Sequence, residues 1–421
     1  MPGTPVHTPP DASLPSTRPG YWLHVAHLAT VWGIAASNGF QALLGFWAGW
    51  YWWRLSRAGR RLGVWAAGFP VMVPLVIYII ALIVAVIFSV DRSASVGELR
   101  DILALTTLPL TLMFFRGTRD VRRAIEVLIA MCVLSAIYGL AQYYLTDYGD
   151  LHNRIKGPFS HYQTYAGVLL IGDLLLLARM VGTDAWRRGW AWGALAVINW
   201  ALLASLTRGP WVAAAVTFGA YVIVRLRRYL LFYVIAAMLF LLLAPDPWLD
   251  RLRSIGDLQD ASNYDRLCMV EAGLYMIGER PLCGLGPAMV EELYPLYRHP
   301  TAPRINVPHL HNSFLQLTAE RGVLALGAYI WMMVAAFGWA YRRYRDEGSA
   351  GGIRADLWLG VLMALVAFNL AGLFEDNWSD GEVQRLVLFL LAVPWCLQPA
   401  TREDEPERPG TGPIPPPETT R

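Results

Sequence analysis

About twelve apolar runs alternate with short polar loops along this chain, and that alternation restricts its fold more than any other feature. The runs lie near 22–36, 38–53, 64–88, 99–115, 124–145, 162–180, 189–205, 210–224, 229–245, 311–340, 355–374 and 384–398. A helix needs roughly 20 apolar residues to cross hydrocarbon, where every backbone N–H and C=O must be bonded within the segment. Of the 421 residues 55% are hydrophobic and only 16% charged, with 18 tryptophans. A soluble chain of this length has no core large enough for so much apolar surface. The expected fold class is all-α: a polytopic integral membrane protein of about twelve transmembrane helices with one larger domain outside the membrane.

Arginine placement supports that count. Nearly all basic residues are arginine; Lys156 is the only lysine. With the N-terminus in the cytoplasm, the loops "RLSRAGRR", "RGTRDVRR", "RMVGTDAWRRG", "RLRR" and "RRYRDEGSAGGIR" all fall inside, and the basic-poor loops fall outside. One helix through 22–53 would invert this pattern, so a hairpin turning at Ser37-Asn38-Gly39 is expected, with both termini cytoplasmic. The Pro-rich ends, 1–20 and 399–421, read as disordered tails. Between them lie spans one to nine (21–245), a polar outside domain (246–310) and spans ten to twelve (311–398). In the outside domain "SNYDRLCMVEAGLYMIGERP" predicts a helix. Ser262 with Asp265 forms a capping box, Leu267, Val270, Leu274 and Ile277 form an apolar stripe, and Pro281 stops the helix. Cys268 and Cys283 could pair there, although spacing alone does not establish bridge geometry.

This topology gathers the unusual polar residues on one face. Arg208 precedes span eight, and Arg266 lies in the first turn of the outside helix. Arg154, Lys156 and His161 stand before span six. His309, His311 and Asn312 open span ten, and Glu375 and Asp376 close span eleven. Helix N-termini on that face present free N–H groups and a positive pole, a natural anion site. Arg208, Arg266 and Lys156 beside them suggest a phosphate or diphosphate ligand. The same field disfavours protonation of a nearby imidazole, keeping it neutral as a general base must be. Each residue also has an ordinary reading: an interfacial anchor for Arg208, a helix cap for the histidines, a loop marker for Glu375 and Asp376. Asp173, inside an apolar run, is read as structural.

Four stretches together bring a family into view: "GPFSHYQTYAGVLL", "SLTRGPWVAAA", "YDRLCMVEAGLYMIGERPLCGLG" and "PHLHNSFLQLTAERGVLALGAYI". Over roughly 155–340 the chain resembles the O-antigen ligase and polymerase superfamily. The resemblance implies a GT-C-like, metal-independent, inverting glycosyltransferase of the bacterial inner membrane, active on the periplasmic face without a cofactor. Its donor would be a glycan on undecaprenyl diphosphate, and its acceptor a lipid A-core sugar hydroxyl or another glycan. The family's catalytic histidine falls on His311 and its two essential arginines on Arg208 and Arg266. His309, Asn312, Arg154, His161, Glu375 and Asp376 are candidate substrate contacts. The pattern departs from ligases at Ala325 and Val270. Ligase is favoured over polymerase because the histidine-bearing loop precedes a late span.

Two other classes stay open. A solute transporter, bicarbonate-like, would place ionisable groups at the bilayer midplane, where Asp173 is nearly alone. A non-catalytic scaffold would not need basic residues gathered beside a histidine. Nothing in the sequence suggests a nucleic-acid partner.

Overall fold

A computed structural model describes residues 16–58, 64–183, 188–257, 260–348 and 354–397. Among them every regular element is helical. The chain begins with α1 (Arg18–Ala29), α2 (Ile34–Arg57) and α3 (Val64–Ile87). Three short helices follow, α4 (Arg92–Val96), α5 (Asp101–Leu105) and α6 (Thr107–Phe114). Next come α7 (Gly117–Leu145), α8 (Tyr162–Gly182), α9 (Gly189–Ala204), α10 (Arg208–Arg225) and α11 (Leu230–Leu243). The polar segment carries α12 (Asp246–Arg253), α13 (Ala261–Glu279) and α14 (Met289–Tyr297). The chain then returns through α15 (Ser313–Gly348), α16 (Ala355–Ala371) and α17 (Gly381–Cys396). The apolar runs fall largely on helix, with run 22–36 interrupted by a turn at 30–33. Among the described residues four helical segments are long and apolar enough to cross a membrane: Pro70–Ile87, Gly117–Leu145, Tyr162–Gly182 and Ser313–Glu347. The pair α10 and α11, bent by 118°, makes a fifth if it counts as one span.

Apolar content alone does not place a helix. α17 is buried by protein on every side from Glu382 to Cys396, whereas α11, the more apolar of the two, has no buried residue. α11 and the part of α17 beyond Arg385 are both apolar all round, yet α17 is a central core helix while α11 offers its surface to lipid.

Several local expectations shift. Helix α1 starts at Arg18, inside the segment read as a tail; most of both tails, 1–15 and 398–421, lies outside the described residues. The turn between α1 and α2 falls at 30–33, not at Ser37-Asn38-Gly39. Thr30 Oγ1 donates back to the Ala26 carbonyl at 2.8 Å, ending α1, and Gly33 is extended at φ −130°. The Ser37 N–H already donates to the Gly33 carbonyl at 2.8 Å, so it belongs to the first turn of α2. Run 99–115 is not one rod but a short 3-10 turn followed by α5 and α6.

In the polar segment Asp260, rather than Ser262, caps α13. Its carboxylate accepts from the Ser262 and Asn263 N–H groups at 3.1 Å each, and a carboxylate suits this end of the helix dipole. Arg266 therefore sits in the second turn. The stripe of Leu267, Val270 and Leu274 is exposed, while Cys268, Met269, Ala272 and Met276 face the protein. Met269, Ala272 and Met276 join Leu285, Met289, Tyr294, Leu310 and Ala319 in a second apolar cluster. Both Cys268 and Cys283 are free thiols.

This cluster docks on α15 at a break in that helix. Gly322 adopts φ 77° and ψ 175°, and a Cβ there would lie 2.0 Å from the Leu282 carbonyl oxygen. Only glycine takes this conformation at this approach without strain. Carbonyls freed by the break are bonded by the inserted loop: Leu285 N–H reaches Ala319 O at 2.9 Å, and Gly286 N–H reaches Glu320 O at 3.0 Å. Residues 313–321 are consequently a short helix standing on the long apolar part of α15.

Candidate functional site

His311 lies just before α15, not in its first turn. Asn312 Oδ1 accepts from the Phe314 and Leu315 N–H groups at 3.0 Å each, making Asn312 the cap. Its Nδ2 donates to the Leu373 carbonyl at 3.2 Å. Ser313 N–H donates to Gly372 O at 2.8 Å, and Ser313 Oγ donates to Glu375 O at 3.1 Å. These bonds tie the start of α15 to the loop after α16 and bring Glu375 against the histidines. His311 itself takes a left-handed backbone, φ 50°. That conformation costs about 1–3 kcal/mol for such a residue and persists only where its surroundings fix it.

The hydrogen bonds select the tautomers. His309 Nδ1 accepts from the His311 backbone N–H at 3.3 Å, so its proton is on Nε2, 3.3 Å from Glu375 Oε1. His311 Nδ1 lies 2.8 Å from Glu375 Oε2 and donates to it. Its Nε2 therefore carries the lone pair; that atom is buried and has no partner among the described residues. Burial, then Arg266 and Arg304, lower the His311 pKa to about 4, against the weaker pull of Asp265 and Asp376. The ring is neutral at pH 7, and desolvation outweighs the neighbouring cations as the cause. Burial raises the Glu375 pKa, while His309 and Arg266 draw it down.

His311 and Glu375 open onto a cleft whose walls carry five arginines: Arg154, Arg208, Arg251, Arg266 and Arg304. The start of α10 contributes Thr207, Gly209 and Pro210, and the Thr207 side chain makes no cap hydrogen bond to the helix's free N–H groups. Its positive pole therefore reinforces the guanidinium groups. Arg154 lies over the Tyr162 ring at 4.5 Å, and its Nε donates to the Leu151 carbonyl at 3.3 Å. Arg304 pairs with Asp265 at 2.8 Å, and Arg251 Nε donates to the Leu206 carbonyl at 3.2 Å. Arg208 is 5% exposed and heavily committed. Nη1 donates to Ser254 O and Oγ at 2.9 Å each, and Nη2 lies 3.3 Å from Ser262 Oγ and 3.7 Å from Asp260.

The cleft thus joins residues from six separate parts of the chain. Of the sequence candidates, Arg154, Arg208, Arg266, His311 and Glu375 line it. His309 supports from behind through Glu375, and Asn312 acts as the cap. His161 caps α8, its Nδ1 accepting from Gln163 N–H at 3.3 Å, and burial lowers its pKa. Lys156 does not line the cleft; its backbone N–H donates to Gln142 Oε1 at 3.2 Å. Asp376 is buried, and its Oδ1 has no partner among the described residues. Asp173 accepts from Asn199 Nδ2 at 2.7 Å and is no part of the cleft, in keeping with a structural carboxylate.

Arg251 and Arg304 carried no signal that set them apart from other loop arginines. Arg321 was also missed. It donates to the Tyr78 hydroxyl and pairs with Asp101 at 2.7 Å, and Trp378 Nε1 donates to the same hydroxyl at 2.8 Å. This buried network braces the loop that carries Glu375. His309, His311 and Glu375 also place three metal-ligating atoms within 4.8 Å of one another. Here both histidines direct N–H groups at the carboxylate, and Arg266 and Arg304 oppose a cation, so an acid–base cluster fits the surroundings better.

Among the described residues, then, an all-helical bundle with four or five segments apolar enough to cross a membrane gathers its polar residues at an arginine-walled cleft with a carboxylate-oriented imidazole. Residues 192–330 match the family described as O-Antigen ligase. The match spans part of the chain and supports a relationship to the O-antigen ligase/polymerase superfamily over that segment. The matched segment holds Arg208, Arg251, Arg266, Arg304, His309 and His311; Arg154 and Glu375 reach the cleft from outside it. No curated protein matches the chain.

Proposed function

We propose that the protein is an inverting O-antigen ligase, transferring glycan from undecaprenyl diphosphate to a lipid A-core sugar hydroxyl. In this reading twelve helices cross the inner membrane, both termini are cytoplasmic, and the cleft opens on the periplasmic side. The observation that carries it is the bare His311 Nε2 at the edge of an arginine-walled cleft. The acceptor hydroxyl gives its proton to Nε2 as its oxygen attacks the anomeric carbon. The bond from that carbon to the diphosphate oxygen breaks, and the diphosphate leaves with the electron pair among the guanidinium groups. Glu375 stabilises the imidazolium that forms, and preoriented arginines meet the leaving charge without reorganisation. The steps call on no metal.

Two measurements test this. In a deletion strain, full-length polymer should remain on undecaprenyl diphosphate; a single repeat unit on the acceptor would instead mean a polymerase. Purified His311→Ala should lose transfer by about 10²–10⁴-fold, the usual worth of a general base, while still binding donor. Transfer at the normal rate would remove His311 from this role.

A further inference from the structure

The arginines of the cleft are not equivalent. Arg208, where sequence reasoning put the anion contact, spends its Nη groups on Ser254, Ser262 and Asp260. It fastens the segment between α12 and α13 onto the start of α10. Arg251, Arg154 and Arg266 line the same cleft, and among the described residues none of the three has a carboxylate within ion-pair distance. The only hydrogen bond of the Arg251 side chain to a described residue is from Nε to Leu206 O, so neither Nη group is bonded to a described residue, and the side chain lines the cleft. Like charges also bear on it: after burial, Arg208 and Arg154 do most to lower its pKa, to about 10. Half-buried cations that repel one another destabilise the empty site, and a bound polyanion reverses the sign of that interaction.

We propose that Arg251 is a direct ligand of the donor diphosphate, acting with Arg154 and Arg266, while Arg208 is the clasp that positions them. The assignment rests on the transferase reading for its ligand. The neighbouring Arg253 supplies an internal control, because it pairs with Asp250 at 3.1 Å on an exposed face and does not line the cleft.

The test uses the full chain in phosphatidylcholine nanodiscs with inorganic pyrophosphate as the probe, read by calorimetry and by the thermal shift it induces. Arg251→Gln should weaken pyrophosphate binding about 10- to 100-fold, the range for losing charge-assisted hydrogen bonds. Arg251→Lys should recover part of that, and Arg253→Gln should bind as the parent does. Without pyrophosphate, Arg251→Gln should melt no lower than the parent, since it removes repulsion. Unchanged pyrophosphate binding in Arg251→Gln, or a melting loss without ligand that accounts for the weaker binding, would overturn the assignment. If the binding pattern holds and the parent transfers no glycan, the anion site stands and the transferase reading fails.

Discussion

Glu375→Gln is the most informative single change, because it keeps shape and alters only charge and donor pattern. Glu375 accepts two N–H groups, from His311 Nδ1 at 2.8 Å and from His309 Nε2 at 3.3 Å. A glutamine has one acceptor oxygen. Turned toward His311, it presents its NH₂ to His309 Nε2, and His309 must move its proton to Nδ1 and stop accepting from the His311 backbone N–H. Turned the other way, it forces the His311 proton onto Nε2 and blocks the base. Either orientation also removes the charge that stabilises the imidazolium. A charge-assisted hydrogen bond contributes about 1.5–3 kcal/mol, so kcat should fall about 10- to 100-fold with little change in donor KM. The assay is single-turnover glycan transfer by protein in nanodiscs, followed across pH. For the parent, the His311 pKa near 4 predicts a flat rate at neutral pH and a decline as pH falls toward 4. The stability linkage has the same direction. A folded pKa below the unfolded value of about 6.5 means that stability is full above pH 6.5 and is lost between there and pH 4. A parent-like kcat in Glu375→Gln would refute the orienting role and reduce Glu375 to a loop anchor.

Other expectations follow from the same geometry. Gly322→Ala should lower the melting temperature and the yield of folded protein, by more than about 1–3 kcal/mol, since it adds a clash with Leu282 O to backbone strain. Tyr78→Phe removes the oxygen shared by Arg321 and Trp378 Nε1. It should cost about 1–3 kcal/mol on thermal unfolding and slow transfer by loosening the Glu375 loop. Asp173→Asn, at a site already satisfied by Asn199, should leave transfer unchanged; solute flux in proteoliposomes that depends on Asp173 and not on His311 would favour a transporter. Prolonged dialysis against a chelator should leave the transfer rate unchanged, and a loss restored by a divalent ion would assign a metal to His309, His311 and Glu375.

What could be read locally was read from residues that are close in sequence. Apolar runs marked the helices, and Pro308 through Asn312 marked the entry to α15. Ser262 and Asp260 both suit a cap of α13, and only the backbone path decides for Asp260. Sequence periodicity found the stripe of Leu267, Val270 and Leu274 but could not say that it faces outward, because Gly273 lets the opposite face approach Leu315 more closely.

The sequence alone determined that the chain is helical, apolar enough for a membrane, and supplied with a histidine pair and arginines near helix starts. Those follow from backbone hydrogen bonding in hydrocarbon and from residue chemistry, both local. Tertiary structure decided which apolar helix is wrapped by protein, as α17 is, and which is left to lipid, as α11 is. It also decided that Glu375, 64 positions from His311, sets the imidazole tautomer, and that Arg251 faces the cleft while Arg253 does not. Such pairings depend on where long-range packing brings separate segments together, and no local spacing encodes that.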